Sequence, residues 1–210
     1  MIPEPILEII MNYDYNTYNL IMKKLLIMKG INKLIIQLDI SGEKLKGYMF
    51  INSLINLKDL DLYDTDIENI NGLPLKLEKL SISKCYNIKE FNVLSRMKEL
   101  KCLSIFNTNI NELPKLTDSL YYLNISEINI NNIDNLPLNL GILLMGDCYN
   151  IIHYDILGKL IKLFVLNISR SNISDITILP KSLKKLFMYD CECITDYTQK
   201  GYFPNCAIYH

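Results

Sequence analysis

The chain has 210 residues, half of them apolar, and a formal net charge of −1 at pH 7. Its acidic and basic residues are scattered without a basic stripe, which argues against nucleic acid as a partner. The most apolar stretch, residues 20–40, is interrupted by four lysines, so the sequence predicts no membrane-spanning segment and no membrane partner.

The first 28 residues precede the repeats that organise the rest of the chain. Pro5–Met11 and Thr17–Met28 are predicted as two short amphipathic helices. Glu4 and Glu8 stand where a signal peptide would carry basic residues, so no secretion signal is predicted. We expect this segment either to cap the first coil of the repeat domain or to dock another protein.

Residues 29–210 are dominated by an apolar triplet with the spacing apolar-x-x-apolar-x-apolar. The central leucine of each triplet recurs at intervals of 20, 23, 20, 20, 23 and 20 residues. A fixed period of this length predicts a solenoid in which each unit packs only against its neighbours. The central leucines are Leu60, Leu80, Leu103, Leu123, Leu143, Leu166 and Leu186.

The repeats form a duplicated block of three units, since the first three central leucines match the next three at a constant offset of 63 residues. The 20-residue units carry Leu-Pro after the strand, and proline there favours an extended convex segment. The 23-residue units lack this proline and space their apolar residues for a short helix, at residues 91–97 and 154–160.

Eroded triplets at both ends predict a terminal strand on each side, for about nine parallel strands in all. Ile35-Leu38-Ile40 precedes the first full triplet. Phe203-Cys206-Ile208 follows the last one by 20 residues, which would place Cys206 at a buried leucine position.

The repeated pattern Leu-x-x-Leu-x-Leu-x-x-(Cys/Thr)-x-x-Ile over residues 35–208 resembles the leucine-rich repeat superfamily. That resemblance implies an α/β solenoid: a horseshoe with a parallel concave sheet and a convex side of mixed short helices and extended segments. Cys191-Glu192-Cys193-Ile194-Thr195-Asp196 is similar to the cysteine-containing repeats of F-box ubiquitin-ligase adaptors. Residues 2–10 are similar to the opening of an F-box, although the chain has no tryptophan, which a full F-box carries.

Six cysteines are present, and three of them share one repeat position five residues after the central leucine. Cys85, Cys148 and Cys191 occupy it, and three other units place threonine or serine there, at Thr65, Thr108 and Ser171. A small polar side chain at this position can bond to backbone groups of adjacent coils. The cysteines are therefore expected to be reduced, and the protein cytoplasmic (in a host cytoplasm if the gene is viral).

Catalytic and metal-binding patterns are not evident. The two histidines, His153 and His210, have no cysteine or carboxylate at a suitable spacing nearby. We therefore expect no enzymatic activity, no cofactor and no metal.

The residues between the core leucines should line the concave sheet, because side chains alternate along a strand. Most are small and polar, but large apolar residues cluster on adjacent strands, as is typical of an interaction site. The predicted partner-binding residues are Phe106, Tyr122, Ile142, Leu144, Val165, Phe187 and Tyr189.

The sequence thus predicts a non-enzymatic module that binds a protein partner on its concave face. Two alternatives remain open. The chain could be an F-box-like adaptor that docks the linker subunit of a cullin ubiquitin ligase through residues 1–28, or a self-associating structural module.

Overall fold

A computed structural model describes residues 30–44 and 48–210. In this part of the chain nine three-residue strands form one parallel sheet, in which each strand pairs with the next along the chain. This confirms the leucine-rich repeat solenoid. The strands are β1 Gln37–Asp39, β2 Asp59–Asp61, β3 Lys79–Ser81, β4 Cys102–Ser104, β5 Tyr122–Asn124, β6 Ile142–Leu144, β7 Val165–Asn167, β8 Lys185–Phe187 and β9 Ala207–Tyr209.

The core position, as we call the middle residue of each strand, aligns across the whole sheet. Leu38 pairs with Leu60, and the following central leucines pair in turn up to Leu186. Leu143 and Met145, at the core position and two residues after it, are completely buried. Because each core leucine from Leu60 to Leu166 pairs with a leucine on both sides, the apolar interior is continuous from coil to coil.

The last strand differs from the sequence prediction by two residues. Ile208, not Cys206, pairs with Leu186, and Cys206 is only half-buried. A six-residue 3₁₀ helix, Tyr197–Tyr202, precedes this strand and ends against the buried Phe203. The unit thus needs 22 residues to return to the sheet, and the prediction that Cys206 fills a core position is wrong.

The convex side alternates as predicted. The two 23-residue units carry 3₁₀ helices on this side, at Asn92–Arg96 and Asp155–Lys159. The units with Leu-Pro form turns and extended chain there. Proline has no N–H to donate to a helical turn, which explains the difference. Two further 3₁₀ helices, Ile31–Lys33 and Met49–Ser53, lie in the first coils.

The shared cysteine position bonds to the preceding coil, as predicted. The Sγ atoms of Cys85, Cys148 and Cys191 donate to the carbonyl oxygens of Leu62, Ile125 and Ile168 at 2.9, 3.1 and 3.2 Å. All six cysteines are free thiols. Burial raises the pKa of the Cys148 thiol to about 11, so the sulfur keeps the proton that it donates.

A left-handed residue precedes this position in seven consecutive units. Its φ lies between 52° and 60° although none of the seven is glycine. Such a conformation costs roughly 1–2 kcal/mol per residue. Six of the seven turns are also tied to the next coil by a backbone bond: the N–H of Asp64 donates to Ser83 O at 2.9 Å, for example, and that of Lys84 to Phe106 O at 2.9 Å.

Candidate interaction surface on the concave sheet

The concave face is built from the two residues that flank each core position. They form two columns that run across the sheet, which we call the first column (before the core position) and the second column (after it). In the first column Tyr122 pairs with Ile142, and Ile142 with Val165. All three are half-buried. Three large side chains therefore form a continuous apolar row over β5–β7.

The second column is polar in most units for a local structural reason. The side-chain oxygens of Asp61, Asn124 and Asn167 accept the backbone N–H two residues further on, at 2.9, 3.0 and 2.9 Å. Asp39 makes the same bond, at 3.0 Å. These bonds stabilise the turn that leaves these four strands, β1, β2, β5 and β7.

Leu144 and Phe187 interrupt this polar column. Neither side chain has an acceptor atom, so neither can make the turn bond that Asn124 and Asn167 make. In the unit of Phe187 the N–H two residues on donates instead to the Ser169 hydroxyl, at 3.1 Å. At both positions the chain gives up a favourable local bond and places a large apolar side chain, half-buried, on the sheet.

An aromatic cluster continues the surface to the last strand. The rings of Phe187 and Tyr209 stack with centroids 4.7 Å apart and planes 11° apart, and Tyr189 lies 6.5 Å from Phe187. Tyr189 is 45% exposed. Tyr209 is a member that the sequence prediction omitted, because the predicted register of the last strand was displaced by two residues. We call the set Tyr122, Ile142, Leu144, Val165, Phe187, Tyr189 and Tyr209 the concave patch.

Phe106 belongs to a different cluster. The Lys84 ammonium lies 5.6 Å from the centre of its ring and 5.3 Å from that of Tyr63. Among the described residues no ring contact or strand pairing joins Phe106 to the concave patch. The other six predicted residues lie on β5–β8 or directly after β8; whether any of the seven binds a partner stays a prediction.

The duplicated block provides an internal comparison for the first column. The positions 63 residues before Tyr122, Ile142 and Val165 are Asp59, Lys79 and Cys102. Lys79 Nζ lies 3.2 Å from Asp59 Oδ2, so the first copy carries an ion pair where the second carries apolar side chains. Both copies keep leucine at the core position that follows each of these residues. The apolar row is thus not a requirement of the fold.

Neither a metal cluster nor a membrane-spanning helix is found in the parts of the chain that the structure describes. Within residues 30–44 and 48–210, no group of three histidine, cysteine or acidic side chains is placed to hold a metal ion. In the same residues no helix is long and apolar enough to cross a bilayer. His153 is exposed on the convex side.

The fold defines a leucine-rich repeat solenoid, and comparisons of structure agree. Internalin C2 of Listeria monocytogenes is similar with a TM-score of 0.62 and 18% sequence identity, over 68% of this chain and 65% of that one. The internalin InlF of the same species has a TM-score of 0.54 and 17% identity, over 86% and 82% of the two chains. This chain therefore spans just under two thirds of internalin C2. No protein-family model and no curated protein matches the sequence.

Proposed function

We propose that this protein is a non-enzymatic interaction module of the cytoplasm that holds a protein partner on its concave patch. The observation that carries the proposal is the exchange of turn-stabilising residues for Leu144 and Phe187. Positions that break a local rule of their own repeat without a gain in stability are those expected to serve function. The similarity to internalins supports the fold on which the proposal rests.

The composition of the concave patch fits this role. Its aromatic members Tyr122, Phe187, Tyr189 and Tyr209 are of the type that dominates binding energy in protein interfaces. Burial raises the pKa of the Tyr122 phenol, so its hydroxyl stays protonated at neutral pH and can donate to a partner. Four strand intervals from β5 to β9, at about 4.8 Å each, give the patch a length of roughly 19 Å.

The test uses the repeat's own preferred residue. We expect the double variant Leu144→Asn/Phe187→Asn to fold at least as well as the parent chain, since asparagine can restore the turn bonds. Proteins captured from a lysate of the source cell by the parent chain should be lost from this variant. Ile152→Asn, which changes an exposed convex isoleucine, is the matched control and should capture the same proteins as the parent. Equal capture by all three chains would end the proposal.

The F-box-like adaptor hypothesis rests on residues 1–28, all of which lie outside the described residues. It therefore stays a prediction, as does the division at residues 28 and 29. Its test is co-purification of the linker subunit, lost when Ile6, Leu7, Ile9 and Ile10 become polar. The self-associating module also stays a prediction and would show as a mass that rises with concentration in light scattering.

A further inference from the structure

The solenoid has a second surface, at the edge where the strands begin. Because the nine strands pair in register, their N-terminal ends lie in one row. We define the basic rim as the residues five, four and two positions before the core position in the first eight coils, from Lys33 to Lys184. At about 4.8 Å per coil this row is roughly 34 Å long.

Contacts between neighbouring coils show that these positions form one surface. Lys58 Nζ donates to Lys76 O of the next coil at 3.1 Å and to Glu99 Oε2, two coils on, at 2.7 Å. Lys162 Nζ bonds Asn139 Oδ1 at 2.7 Å. Asn56 Nδ2 donates to Lys33 O of the preceding coil at 2.8 Å. The three positions of one coil are therefore adjacent to those of the next along the row.

The rim has a strong charge bias. Its 24 positions hold eight lysines and three acidic residues, a net charge of +5 in a chain whose net charge is −1. The opposite edge, four and six residues after the core position, holds six acidic and three basic residues in the same coils, a net charge of −3. The two edges of the solenoid are thus oppositely charged.

The rim also holds most of the exposed aliphatic side chains. The structure describes eight leucine, isoleucine and methionine side chains that are exposed, and six of them lie on the rim. Ile161 is 73% exposed and Leu34 77%. The six are Leu34, Ile36, Ile55, Leu75, Leu138 and Ile161.

The second copy of the duplicated block adds aromatic rings. In the first copy Lys101 Nζ lies 2.6 Å and Lys58 Nζ 3.5 Å from the Glu78 carboxylate, on either side of it. The positions 63 residues later hold Tyr121, Gly141 and Phe164. There the two rings lie 6.1 Å apart, close over the glycine. An ion-paired segment of the rim has become an aromatic one.

We propose that the basic rim lies on an anionic lipid bilayer. Lysines that alternate with single protruding aliphatic and aromatic side chains are what a peripheral membrane surface needs: the lysines meet anionic headgroups and the apolar tips enter the headgroup boundary. The centre of a protein–protein interface is instead depleted in lysine.

The sequence prediction of no membrane partner considered only segments that cross a bilayer. The rim is assembled from residues 20–23 positions apart, so no continuous stretch of sequence signals it. With the rim on a membrane, the concave patch lies on a neighbouring face and remains open. The inference therefore does not depend on the proposed protein partner.

The test is binding of the full chain to vesicles of phosphatidylcholine alone or with about one third phosphatidylserine. Each lysine near an anionic surface contributes about fivefold in binding. Lys162→Glu/Lys184→Glu should therefore reduce binding to the anionic vesicles at least about 25-fold. The matched control Lys89→Glu/Lys115→Glu, at exposed positions off the rim, should stay within about twofold of the parent.

A second pair of variants separates the apolar contribution from the charge. Ile161→Ser should lower binding to the anionic vesicles several-fold. Ile152→Ser should leave it unchanged, because Ile152 lies on the convex side although its exposure, 69%, is close to the 73% of Ile161. All variants should melt like the parent chain, because these side chains are in solvent. Leu144→Asn/Phe187→Asn should still bind vesicles, so failure of the protein partner and failure of the membrane proposal can be told apart.

Three results would overturn the membrane proposal. The first is no preference of the parent chain for anionic over neutral vesicles. The second is a mass that rises with concentration without vesicles and falls in Lys162→Glu/Lys184→Glu, which would assign the rim to the acidic edge of a second copy. The third is loss of a captured acidic protein from the rim variants with vesicle binding unchanged.

Discussion

Adjacent residues on β6 should respond in opposite ways to substitution. Leu143 is completely buried, and the core residues on both sides of it, Leu123 and Leu166, are buried to the same degree. β6 is hydrogen-bonded to β5 on one side and to β7 on the other. These backbone bonds restrain both neighbouring coils, so the coils cannot close a cavity left at position 143. We therefore expect Leu143→Ala to lower the free energy of unfolding by about 3–4 kcal/mol, within the usual range for a buried leucine.

Leu144 is half-buried and faces the concave side. Leu144→Ala removes surface contact without opening a cavity, so we expect a loss below about 1 kcal/mol. For a chain of this size about 3 kcal/mol corresponds to a fall in melting temperature of roughly 6–12 °C. The two variants should therefore differ clearly in a thermal melt.

The assay is unfolding by urea and by heat, followed by circular dichroism, with the two alanine variants beside the parent chain. Leu123→Ala serves as a second core variant and should match Leu143→Ala. Replacement by glutamate sharpens the contrast, since the charge can reach water at the half-buried position 144 and cannot at the fully buried position 143. If Leu144→Glu unfolds the protein as severely as Leu143→Glu, the strand register is wrong and the concave patch is wrong with it.

Three further predictions concern buried groups. The free energy of unfolding should fall as the pH rises from about 9 to about 11, because the unfolded chain releases a thiol proton that folded Cys148 retains. Urea midpoints measured across this range should fall less for Cys148→Ser than for the parent chain. Gly141→Ala should lower the melting temperature, since a Cβ there would lie 2.7 and 3.0 Å from atoms of the two flanking rings, while Gly146→Ala, whose nearest atom is 3.4 Å away, should change it less. The buried Tyr154 hydroxyl makes no hydrogen bond of normal geometry among the described residues, but Ser171 and the Asn172 N–H lie near it, so Tyr154→Phe should change the free energy of unfolding in urea by less than about 1 kcal/mol. Phe91→Tyr, at the matching position of the first block, should be destabilising.

The regular part of the fold could be predicted from the sequence because each coil repeats one solution. The spacing of Leu60 to Leu186 determines which strand pairs with which, and the presence or absence of proline distinguishes the two convex forms. The last strand could not be placed in this way. Its unit has a different length, so Ile208 rather than Cys206 completes the column, and Tyr209 joins the concave patch.

The features that the sequence did not reveal depend on three-dimensional adjacency or on local backbone geometry. The left-handed turn residues include Lys84, Glu127 and Arg170, which carry no signal for a positive φ. Phe106 was grouped with the apolar residues, but its ring lies against Lys84. The basic rim emerges only when coils 20–23 residues apart are brought together.

The duplicated block separates what the fold requires from what it permits. The core leucines, which lie between the two sheet columns, are retained at an offset of 63 residues. The cysteine bond to the preceding coil also recurs, at Cys85 and Cys148. On the surface the second copy carries apolar side chains where the first carries ion pairs, in the first column of the concave face and again on the rim at Tyr121 and Phe164. Half-buried apolar side chains stabilise a monomer less than core side chains do, since folding removes only part of their surface from water. This coincidence on two neighbouring faces is consistent with the two proposed surfaces, because the apolar row of the concave patch and the aromatic segment of the basic rim both lie in the second copy of the block.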